Sequence, residues 1–483
     1  MREITRRRLL QSTGAVFAAA ACAPRYADAA EVSRVMATLS EYMSGAAARA
    51  LPAPVVEKTK FMILDTIAAM VSGGSLPPGK FAINFARANG GNPTCTVVGS
   101  SLRCGPIEAA MANGLLAHSD ETDDTHPPSQ SHPGCAAVPA ALALGEKLGI
   151  DGTRFLRSVA LGYDVGTRFT ATLGKLEYMF DTHRSTHGIA GTFVAAAAAG
   201  CAAGLNTQQM QWLLSYAAQE ASGLASWQRD TDHIEKSFDF GGMTARNGVT
   251  AALLVQAGGT GVDDILSGTD NFFQAFAPRN KPEMVIDGLG TRFEVMRTDI
   301  KKWTIGAPIQ APMDALDNLI KREKFNAADV KQVVVRVATN EAAIVNNREI
   351  PDISLQHLIA VMLLDKTVSF KSAHDLARMK DPAVMRERAK VQLVPDAELQ
   401  KLMPQRTAIV EVTLTSGKML SEKVGTVRGT AANPMTKDEV IAKARDLIVP
   451  VLGAGTFQKL SDRIFALESV KNITELRPLL QTT

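Results

Sequence analysis

Residues 116–146 contain three of the eight histidines of the sequence and a closely spaced group of acidic side chains. His118, His126 and His132 lie in this segment, and residues 120–124 include four carboxylic acids. Prolines and a His-Pro-Gly sequence interrupt the backbone there, and alanine- and leucine-rich runs flank the segment on both sides. Histidine titrates close to neutral pH, and a nearby carboxylate can orient or charge it. The sequence therefore predicts a polar loop between two buried helices that is suited to acid–base chemistry.

The same residues permit other interpretations. The acidic run could cap a helix and face solvent, His118 could be a hydrogen-bonded core residue, and His126 could support the turn before the prolines. His233 and His374 lie outside any motif and are predicted to be surface residues. A metal-dependent hydrolase is a separate alternative, because mixed nitrogen and oxygen donors can bind a divalent ion. Its ligands would come from His118, Asp120, Asp123, Asp124, His126 and His132.

Apolar periodicity predicts helices from residue 32 to about residue 280, and the pattern changes near residue 295. Residues 331–338 are typical of a β-strand, and residues 407–424 are typical of a hairpin. Helical character returns after Pro434. A chain of this length exceeds one hydrophobic core, so we predict a mainly α protein with two domains. The large all-helical domain would comprise residues 30–295 and 432–483, with a smaller α+β lid domain, residues 296–431, inserted into it.

The N-terminus resembles a twin-arginine export signal. A threonine precedes the arginines at positions 6–8, an apolar run follows, and Ala27-Asp28-Ala29 is a typical cleavage sequence. We therefore predict that residues 1–29 are a signal peptide and that the mature chain is exported in folded form, to the periplasm or beyond. A lipoprotein signal ending at Cys22 is the weaker alternative.

The predicted signal also carries most of the excess positive charge. Its five arginines against Glu3 and Asp28 give a net charge of +3, and the whole chain has a formal net charge of +3. The mature protein would thus be near neutral, which argues against a function in nucleic-acid binding or on membrane surfaces. After the signal, residues 189–205 come closest to a membrane span, but they are rich in alanine and glycine and are predicted to be a core helix.

Four cysteines follow the predicted signal, and none forms a C-x-x-C pair, which argues against a structural zinc site. Both a Cys95–Cys104 disulfide and buried free thiols are compatible with the sequence.

Six motifs are distributed along nearly all of the predicted mature chain: Asn113-Gly114, residues 118–126, His132-Pro133-Gly134 with Leu142-Ala143-Leu144, Gly191-Thr192-Phe193, Lys236 before Gly241-Gly242, and Ser354-Leu355-Gln356-His357. In this order they resemble the MmgE/PrpD family, which includes 2-methylcitrate dehydratase, cis-aconitate decarboxylase and an iminodisuccinate epimerase. The resemblance implies a large helical domain with a smaller lid, a homodimer, and catalysis without a metal or organic cofactor.

The resemblance also implies an active site in the cleft between the two domains. A family carboxylate falls on Glu121, although Asp is more usual there, and a family histidine aligns with Ser185, which has a histidine on either side. The catalytic residues implied are His132, Glu121, Lys236, Lys301, His183 or His187, and His357 at a family aromatic position. The substrate-binding residues expected are Asp124, Thr125, Lys302 as a one-step alternative to Lys301, Gln310 and Gln356.

Family substrates are small di- and tricarboxylates, and these residue types suit them. Lysines can bind carboxylates, and a histidine can move a proton at a carbon beside a carboxylate. We expect His132 to transfer the proton, oriented or charged by Glu121, while the lysines bind substrate. The sequence thus predicts a cofactor-free lyase similar to 2-methylcitrate dehydratase. Decarboxylation, epimerisation or isomerisation on the same scaffold, and a non-catalytic carboxylate-binding protein, are the alternatives.

Overall fold

A computed structural model describes residues 32–277 and 281–482, and the predicted export signal lies outside them. The buried hydrophobic side chains form two separate cores. The larger core draws on both ends of the chain, from Val35 to Ile300 and from Met435 to Leu480. The smaller core draws on residues from Trp303 to Val427. We call the two parts the helical body (residues 32–300 and 435–482) and the α/β unit (residues 303–427).

The helical body consists of helices joined by loops and by one short antiparallel ribbon, β1 (Cys95–Thr96) with β2 (Arg103–Cys104). Its α-helices are α1 (Arg34–Ser44), α2 (Ala53–Gly73), α3 (Pro77–Asn89), α4 (Pro106–Ala117), α5 (Gly134–Leu148), α6 (Gly152–Leu173), α7 (Lys175–Thr182), α8 (Thr186–Ala203), α9 (Thr207–Glu220), α10 (Ile234–Ser237), α11 (Met243–Gln256), α12 (Phe272–Phe276), α19 (Lys437–Leu452), α20 (Ala454–Phe465) and α21 (Arg477–Leu480). Single 3-10 turns cover Ala225–Arg229, Pro282–Val285, Glu294–Arg297, Leu467–Ser469 and Ile473–Leu476.

Helix α8 lies at the centre of the helical body and packs against α5, α6 and α11. Its small side chains allow neighbouring helices to approach closely. A side chain at Gly166 of α6, or at Gly248 of α11, would collide with the α8 backbone. The helix is long and apolar enough to cross a membrane, but 89% of it is buried inside the protein. The prediction of a tightly packed core helix in this region is therefore confirmed.

The α/β unit contains a four-stranded sheet with the order β4-β3-β5-β6. The central strand β3 runs parallel to β4 and antiparallel to β5, and β5 and β6 form an antiparallel hairpin. Its elements are α13 (Gln310–Glu323), β3 (Val330–Ala338), α14 (Thr339–Val345), α15 (Leu355–Asp365), α16 (Phe370–Ala373), α17 (Pro382–Arg388), β4 (Val391–Asp396), α18 (Ala397–Gln400), β5 (Ala408–Leu414) and β6 (Met419–Val424), with 3-10 turns at Ala307–Ile309, Ala327–Asp329, Pro351–Ile353 and Arg378–Lys380.

The prediction of a mainly α protein is confirmed, and the strand and hairpin predicted in the second half are β3, β5 and β6. The four cysteines of the described residues are buried thiols, so the disulfide alternative is wrong, although Cys95 and Cys104 face each other in the ribbon. That the α/β unit closes over the helical body as a lid stays a prediction.

Candidate active site

The loop between α4 and α5 is fixed by contacts from distant parts of the chain. Lys301 Nζ donates to the backbone carbonyl of Glu121 at 2.7 Å. Lys443 Nζ, from α19, donates to the backbone carbonyl of Thr122 at 2.9 Å. Both lysines are buried. The loop therefore takes its conformation from the junction of the two units and from the C-terminal part of the chain, as well as from its own sequence.

Asp123 lies between two histidines of this loop. Its Oδ2 accepts from His118 Nδ1 at 2.9 Å and its Oδ1 accepts from His132 Nδ1 at 3.0 Å. Burial alone would raise the pKa of the Asp123 carboxyl, but the two histidines hold it well below its usual value. Because the ionised carboxylate can only accept, both rings carry a hydrogen on Nδ1 and turn Nε2 away from Asp123.

The electrostatics of the site keep His132 neutral. Burial, opposed by Asp123, lowers the pKa of His132 to about 4. His132 therefore stands as a proton acceptor at neutral pH, with its orientation fixed by a buried carboxylate. This is the arrangement that a general base requires.

Glu121 faces two lysines instead of a histidine. Lys236 Nζ forms an ion pair with Oε1 of Glu121, and Lys301 Nζ lies 3.8 Å from Oε2. Burial alone would raise the pKa of the Glu121 carboxyl, but the two lysines lower it well below its usual value. Lys301 Nζ also lies 3.8 Å from Asp123 Oδ1. The predicted role of Glu121 in orienting His132 is therefore corrected, because Asp123 makes the bond to the His132 ring.

Lys236 reaches the loop because the backbone around it approaches α4 closely. Helix α10 contains Lys236 and continues into a π-helical turn, Phe238–Gly242, before α11 begins. Gly241 of this turn lies against Gly114 of α4, and a Cβ at either position would overlap the other backbone. Two glycines that are 127 positions apart thus bring the Lys236 ammonium group next to Glu121.

Lys301 lies where the chain passes from the helical body into the α/β unit. Its neighbour Ile300 donates its N–H to the carbonyl of Gly429 at 2.9 Å. Asp299 exchanges two backbone hydrogen bonds with Thr125, at 2.8 and 3.1 Å. The segment before Lys301 is therefore bonded to the active-site loop on one side and to the returning chain on the other.

Three histidine rings gather around Phe240, and a fourth, His233, lies against one of them. His118 and His187 stack on its ring with centroid distances of 4.5 and 3.7 Å, and His132 lies at 5.4 Å. His233 lies 5.2 Å from His118. Burial lowers the pKa of His187 well below its usual value and that of His233 to about 3. Three buried ring nitrogens have no hydrogen-bond partner among the described residues, namely His118 Nε2, His187 Nδ1 and His233 Nε2.

The structure brings His187 to this histidine cluster and leaves His183 outside it. The His187 ring lies 5.3 Å from that of His132. His183 ends α7 in a left-handed conformation, and it is exposed. Ser185, at the aligned position, caps α8 and donates to Asp239. The prediction of a catalytic His183 is corrected, because an exposed ring at a helix end does not face the cluster.

Asp124 is a structural residue instead of a substrate ligand. Its carboxyl accepts from the N–H of Gly134 at 3.1 Å, at the start of α5, and from the Tyr163 hydroxyl at 2.6 Å. Burial and the adjacent Asp123 charge raise the pKa of Asp124 to about 8. The predicted substrate contact is corrected, because both oxygens are engaged inside the body. For Thr125 the structure shows a backbone role, and substrate contact stays a prediction.

Lys302 and Gln310 are also occupied by structural contacts. Lys302 Nζ lies 3.1 Å from Asp317 and 3.5 Å from Asp314. Gln310 Nε2 donates to the carbonyls of Trp303 at 2.8 Å and Ile305 at 3.0 Å. The predicted substrate contact of Gln310 is corrected, because both polar atoms of its buried side chain are engaged. For Lys302, whose side chain is 23% exposed, substrate contact stays a prediction, and Lys301 is the lysine that faces the loop.

The two predicted site residues on α15 are buried within the α/β unit. Gln356 accepts from the N–H of Asn347 at 2.8 Å and donates to Asn346 at 2.7 Å, so its predicted substrate contact is corrected. His357 is fully buried, and neither ring nitrogen has a partner among the described residues. No hydrogen bond, ion pair or ring contact within residues 32–277 and 281–482 connects His357 to the histidine cluster. Its catalytic role stays a prediction.

Comparison with known proteins decides the family. Residues 37–285 match the MmgE/PrpD N-terminal domain, and residues 303–465 match the MmgE/PrpD C-terminal domain. The chain belongs to the MmgE/PrpD family. The family resemblance drawn from the sequence motifs is thereby confirmed.

Several relatives of this MmgE/PrpD protein are named cis-aconitate decarboxylase, and such enzymes are lyases. One from Aspergillus terreus (strain NIH 2624 / FGSC A1156) is 26% identical over 94% of this chain and 97% of its own. One from Homo sapiens is 25% identical over 88% of this chain and 90% of its own. A cis-aconitate decarboxylase-like protein, oryM, from Aspergillus oryzae is 24% identical over 94% and 98%.

Several residues that line this MmgE/PrpD site are not among the predicted catalytic or substrate-binding residues. The sequence predicts Asp123 as a member of a helix-capping acidic run or as a metal ligand, and it predicts His118 as a core residue or a metal ligand, in neither case as part of this histidine cluster. His233 and His374 were predicted to be surface residues, and this is wrong. A signal for His233 was its position three residues before Lys236, whereas no motif marks His374.

The loop also provides two groups of potential metal ligands. One is His118, Asp123 and Cys135, the other Asp123, Asp124 and His132, each with ligand atoms within 4.8 Å of one another. However, both Asp123 oxygens already accept from histidines. Burial raises the pKa of the Cys135 thiol well above its usual value, and this thiol donates to the His132 carbonyl at 3.0 Å. A metal would have to replace these bonds, so the residues fit a hydrogen-bonded acid–base network better.

Replacing His187 with asparagine is expected to lower kcat/KM at least about 10-fold, whereas His183→Asn should keep it within about twofold. The physical reason is that only the His187 ring contacts His132 and Phe240. Steady-state kinetics of the two variants tests this directly. A larger loss for His183→Asn than for His187→Asn would reverse the assignment.

Proposed function

We propose that this protein is a cofactor-free lyase that acts on a small polycarboxylate, and that it decarboxylates an unsaturated tricarboxylate. One observation carries this proposal: Lys236 and Lys301, from separate segments, share one carboxylate beside the Asp123–His132 pair. The site therefore combines a carboxylate-binding pair of cations with an oriented proton-transfer group.

Glu121 shows how such a carboxylate can be bound. Its side chain accepts from Lys236 and lies close to Lys301, and all three groups are largely buried. Water screens such charges poorly, so an added carboxylate would interact strongly with the two ammonium groups. A substrate with two or three carboxylates could share these lysines with Glu121. Its other polar groups could meet the unpaired nitrogens of the histidine cluster.

Decarboxylation places a specific demand on this site. When a carboxyl group leaves a carbon next to a C=C bond, the electron pair of the broken C–C bond forms a new double bond. The former alkene then takes one proton at its far carbon, and CO2 is released. The reaction needs one proton donor at carbon, and His132 can serve once it is protonated. A bound polyanion favours that protonation because its negative charges oppose the effect of burial on the His132 pKa.

The choice of decarboxylation over dehydration draws on the relatives, which are named cis-aconitate decarboxylases. Dehydration would instead need a base at carbon and an acid at the leaving hydroxyl. His132 with His187 could supply both groups, so a dehydratase similar to 2-methylcitrate dehydratase is the second candidate. Epimerisation or double-bond isomerisation would use the same groups.

The decisive experiment incubates the protein with cis-aconitate in D2O and follows the reaction by NMR. We expect CO2 release and a product with a new =CH2 group and one deuterium at the former alkene carbon. Citrate-like and amino-dicarboxylate compounds, tested in parallel, would reveal dehydration or deuterium exchange instead. Saturable binding without turnover or exchange would support the carboxylate-binding alternative, and activity that exhaustive chelation abolishes would support the metal-dependent one.

Three further features stay proposals from the sequence. They are export through the twin-arginine pathway to the periplasm or beyond, a homodimeric state, and the absence of nucleic-acid or membrane partners after signal cleavage.

A further inference from the structure

His374 connects the α/β unit to the active-site loop. It follows α16, and its Nε2 lies 2.9 Å from Oδ2 of Asp120. Its Nδ1 lies 2.8 Å from the carbonyl oxygen of Phe370, and the two rings lie 4.2 Å apart. Only 14% of the His374 side chain is exposed. A residue of the α/β unit is thus buried against a carboxylate of the helical body.

The partners of His374 require a charged ring. A carbonyl oxygen can only accept, so Nδ1 must carry a hydrogen toward Phe370. The Asp120 carboxylate lies 2.9 Å from Nε2 as an ion pair without the alignment of a hydrogen bond, and Asp352 lies 3.9 Å from the same nitrogen. Two carboxylates this close favour a hydrogen on Nε2 as well, so the ring is an imidazolium. This charge sets His374 apart from His132, His187 and His233, whose pKa values burial lowers.

Asp120 transmits this contact to Glu121. Its Oδ1 accepts from the backbone N–H of Thr122 at 2.9 Å, and its Oδ2 accepts from the Thr122 hydroxyl at 2.6 Å. These two bonds close a tight turn in which Glu121 is the middle residue. The position of the Glu121 carboxylate between the lysines thus depends on where the Asp120 side chain is held.

The charged groups around His374 agree with this geometry. Asp120 is in direct contact, and Asp352 lies 3.9 Å from Nε2. Burial alone would lower the pKa of His374, but the two aspartates and the Phe370 carbonyl raise it to about 9. Burial alone would raise the pKa of Asp120, but His374 lowers it. Burial raises the pKa of Asp352 to about 6.

We propose that His374 is a positioning residue that, as an imidazolium, anchors the Asp120–Thr122 turn and thereby places Glu121 between Lys236 and Lys301. The inference rests on the proposed function for its effect on turnover, but its effect on the loop is independent of any substrate. The folded pKa lies above the ordinary value of 6.5, so the anchor is complete below that pH. It is lost as the pH rises through about 9.

Hydrogen–deuterium exchange of peptides covering residues 118–126 tests the anchor without a substrate. His374→Gln should raise the exchange rate of this loop at pH 7 at least about 10-fold, because the turn loses its charged partner. Lys371→Gln is the matched control, since it removes an exposed cation from the same short helix, α16. Unchanged loop exchange in His374→Gln would overturn the proposal.

The wild-type protein provides a test that does not depend on a variant that folds. After correction for intrinsic exchange rates, protection of the loop should fall between pH 8 and pH 10. Protection that stays constant through this range would overturn the proposal.

If turnover is established, wild-type kcat/KM should fall over the same range. His374→Gln should have a kcat/KM that is at least about 10-fold lower at pH 7 and flat across that range. If kcat/KM of the variant decreases between pH 8 and pH 10 as it does in the wild type, the decrease is due to a titrating group other than His374. Absence of turnover would instead reject the lyase proposal and leave the exchange result to decide on the anchor.

Discussion

Replacing His132 with glutamine, or Asp123 with asparagine, is expected to lower kcat by about 10³-fold or more. His132→Gln removes the group that carries the proton. Asp123→Asn keeps the shape of the side chain but removes the charge that fixes the Nδ1–H tautomers of His118 and His132. The measurement is single-turnover kinetics on the substrate identified by NMR, with circular dichroism to confirm that each variant folds.

Asp124→Asn is the matched control for this prediction. It lies next to Asp123 and is just as buried, but burial and the Asp123 charge raise its pKa to about 8. The carboxyl is therefore mainly neutral at pH 7, and an asparagine oxygen can still accept from Gly134 and Tyr163. We expect Asp124→Asn to retain kcat within about fivefold. If both asparagine variants lose activity equally, the Asp123–His132 pair has no special role.

Replacing Lys236 or Lys301 with methionine is expected to lower kcat/KM by roughly 10- to 150-fold each, mainly through KM. The estimate reflects the loss of one hydrogen bond between a buried ammonium and a carboxylate, worth about 1.5–3 kcal/mol. Methionine is unbranched and only one atom shorter than lysine, so the change removes the ammonium group and keeps most of the packing of the apolar stem. Steady-state kinetics over a range of substrate concentrations separates the effects on KM and kcat.

Lys302→Met is the matched control for Lys301→Met, because it removes the neighbouring cation. Lys302 pairs with Asp314 and Asp317 inside the α/β unit, so we expect kcat/KM to change by less than about threefold. A second control addresses the partner carboxylate, since Glu121 would keep a buried charge with one lysine missing. If Glu121→Gln restores the thermal stability of Lys236→Met but not its KM, Lys236 acts on the substrate directly. Equal losses in Lys301→Met and Lys302→Met would contradict the assignment of Lys301.

Much of the fold could be predicted from local patterns. The alternation of residues 331–338 and the turn at Gly417 correspond to β3 and to the β5–β6 hairpin. The alanine-rich segment of α8 predicted its burial because small side chains leave no polar face. The short helix α16 is not evident from such patterns, although Ser369 starts it with a capping box and it ends at Ala373. Apolar periodicity cannot predict a helix of four residues, because the end of so short a helix depends on its hydrogen bonds and tertiary contacts.

The site residues could be predicted where a titratable side chain lies in one of the family motifs. The convergence of His132, Lys236 and Lys301 on one loop was expected and agrees with the structure. Which carboxylate faces which cation was not predictable, because Glu121 and Asp123 are two positions apart and the direction of each depends on the turn made by Asp120. His374 lies about 250 residues from its partner, and only the tertiary fold shows that they meet.

The contact between Lys443 and the Thr122 carbonyl has a consequence for biosynthesis. Lys443 also pairs with Asp65 of α2 at 2.6 Å, so a single late residue joins two early parts of the chain. The ribosome synthesises Lys443 after the entire α/β unit. The active-site loop therefore cannot form its contact with Lys443 while only the N-terminal helices and the α/β unit have been made. A newly made chain therefore gains a competent active site only near the end of translation, and premature termination before this lysine leaves the loop without its last support.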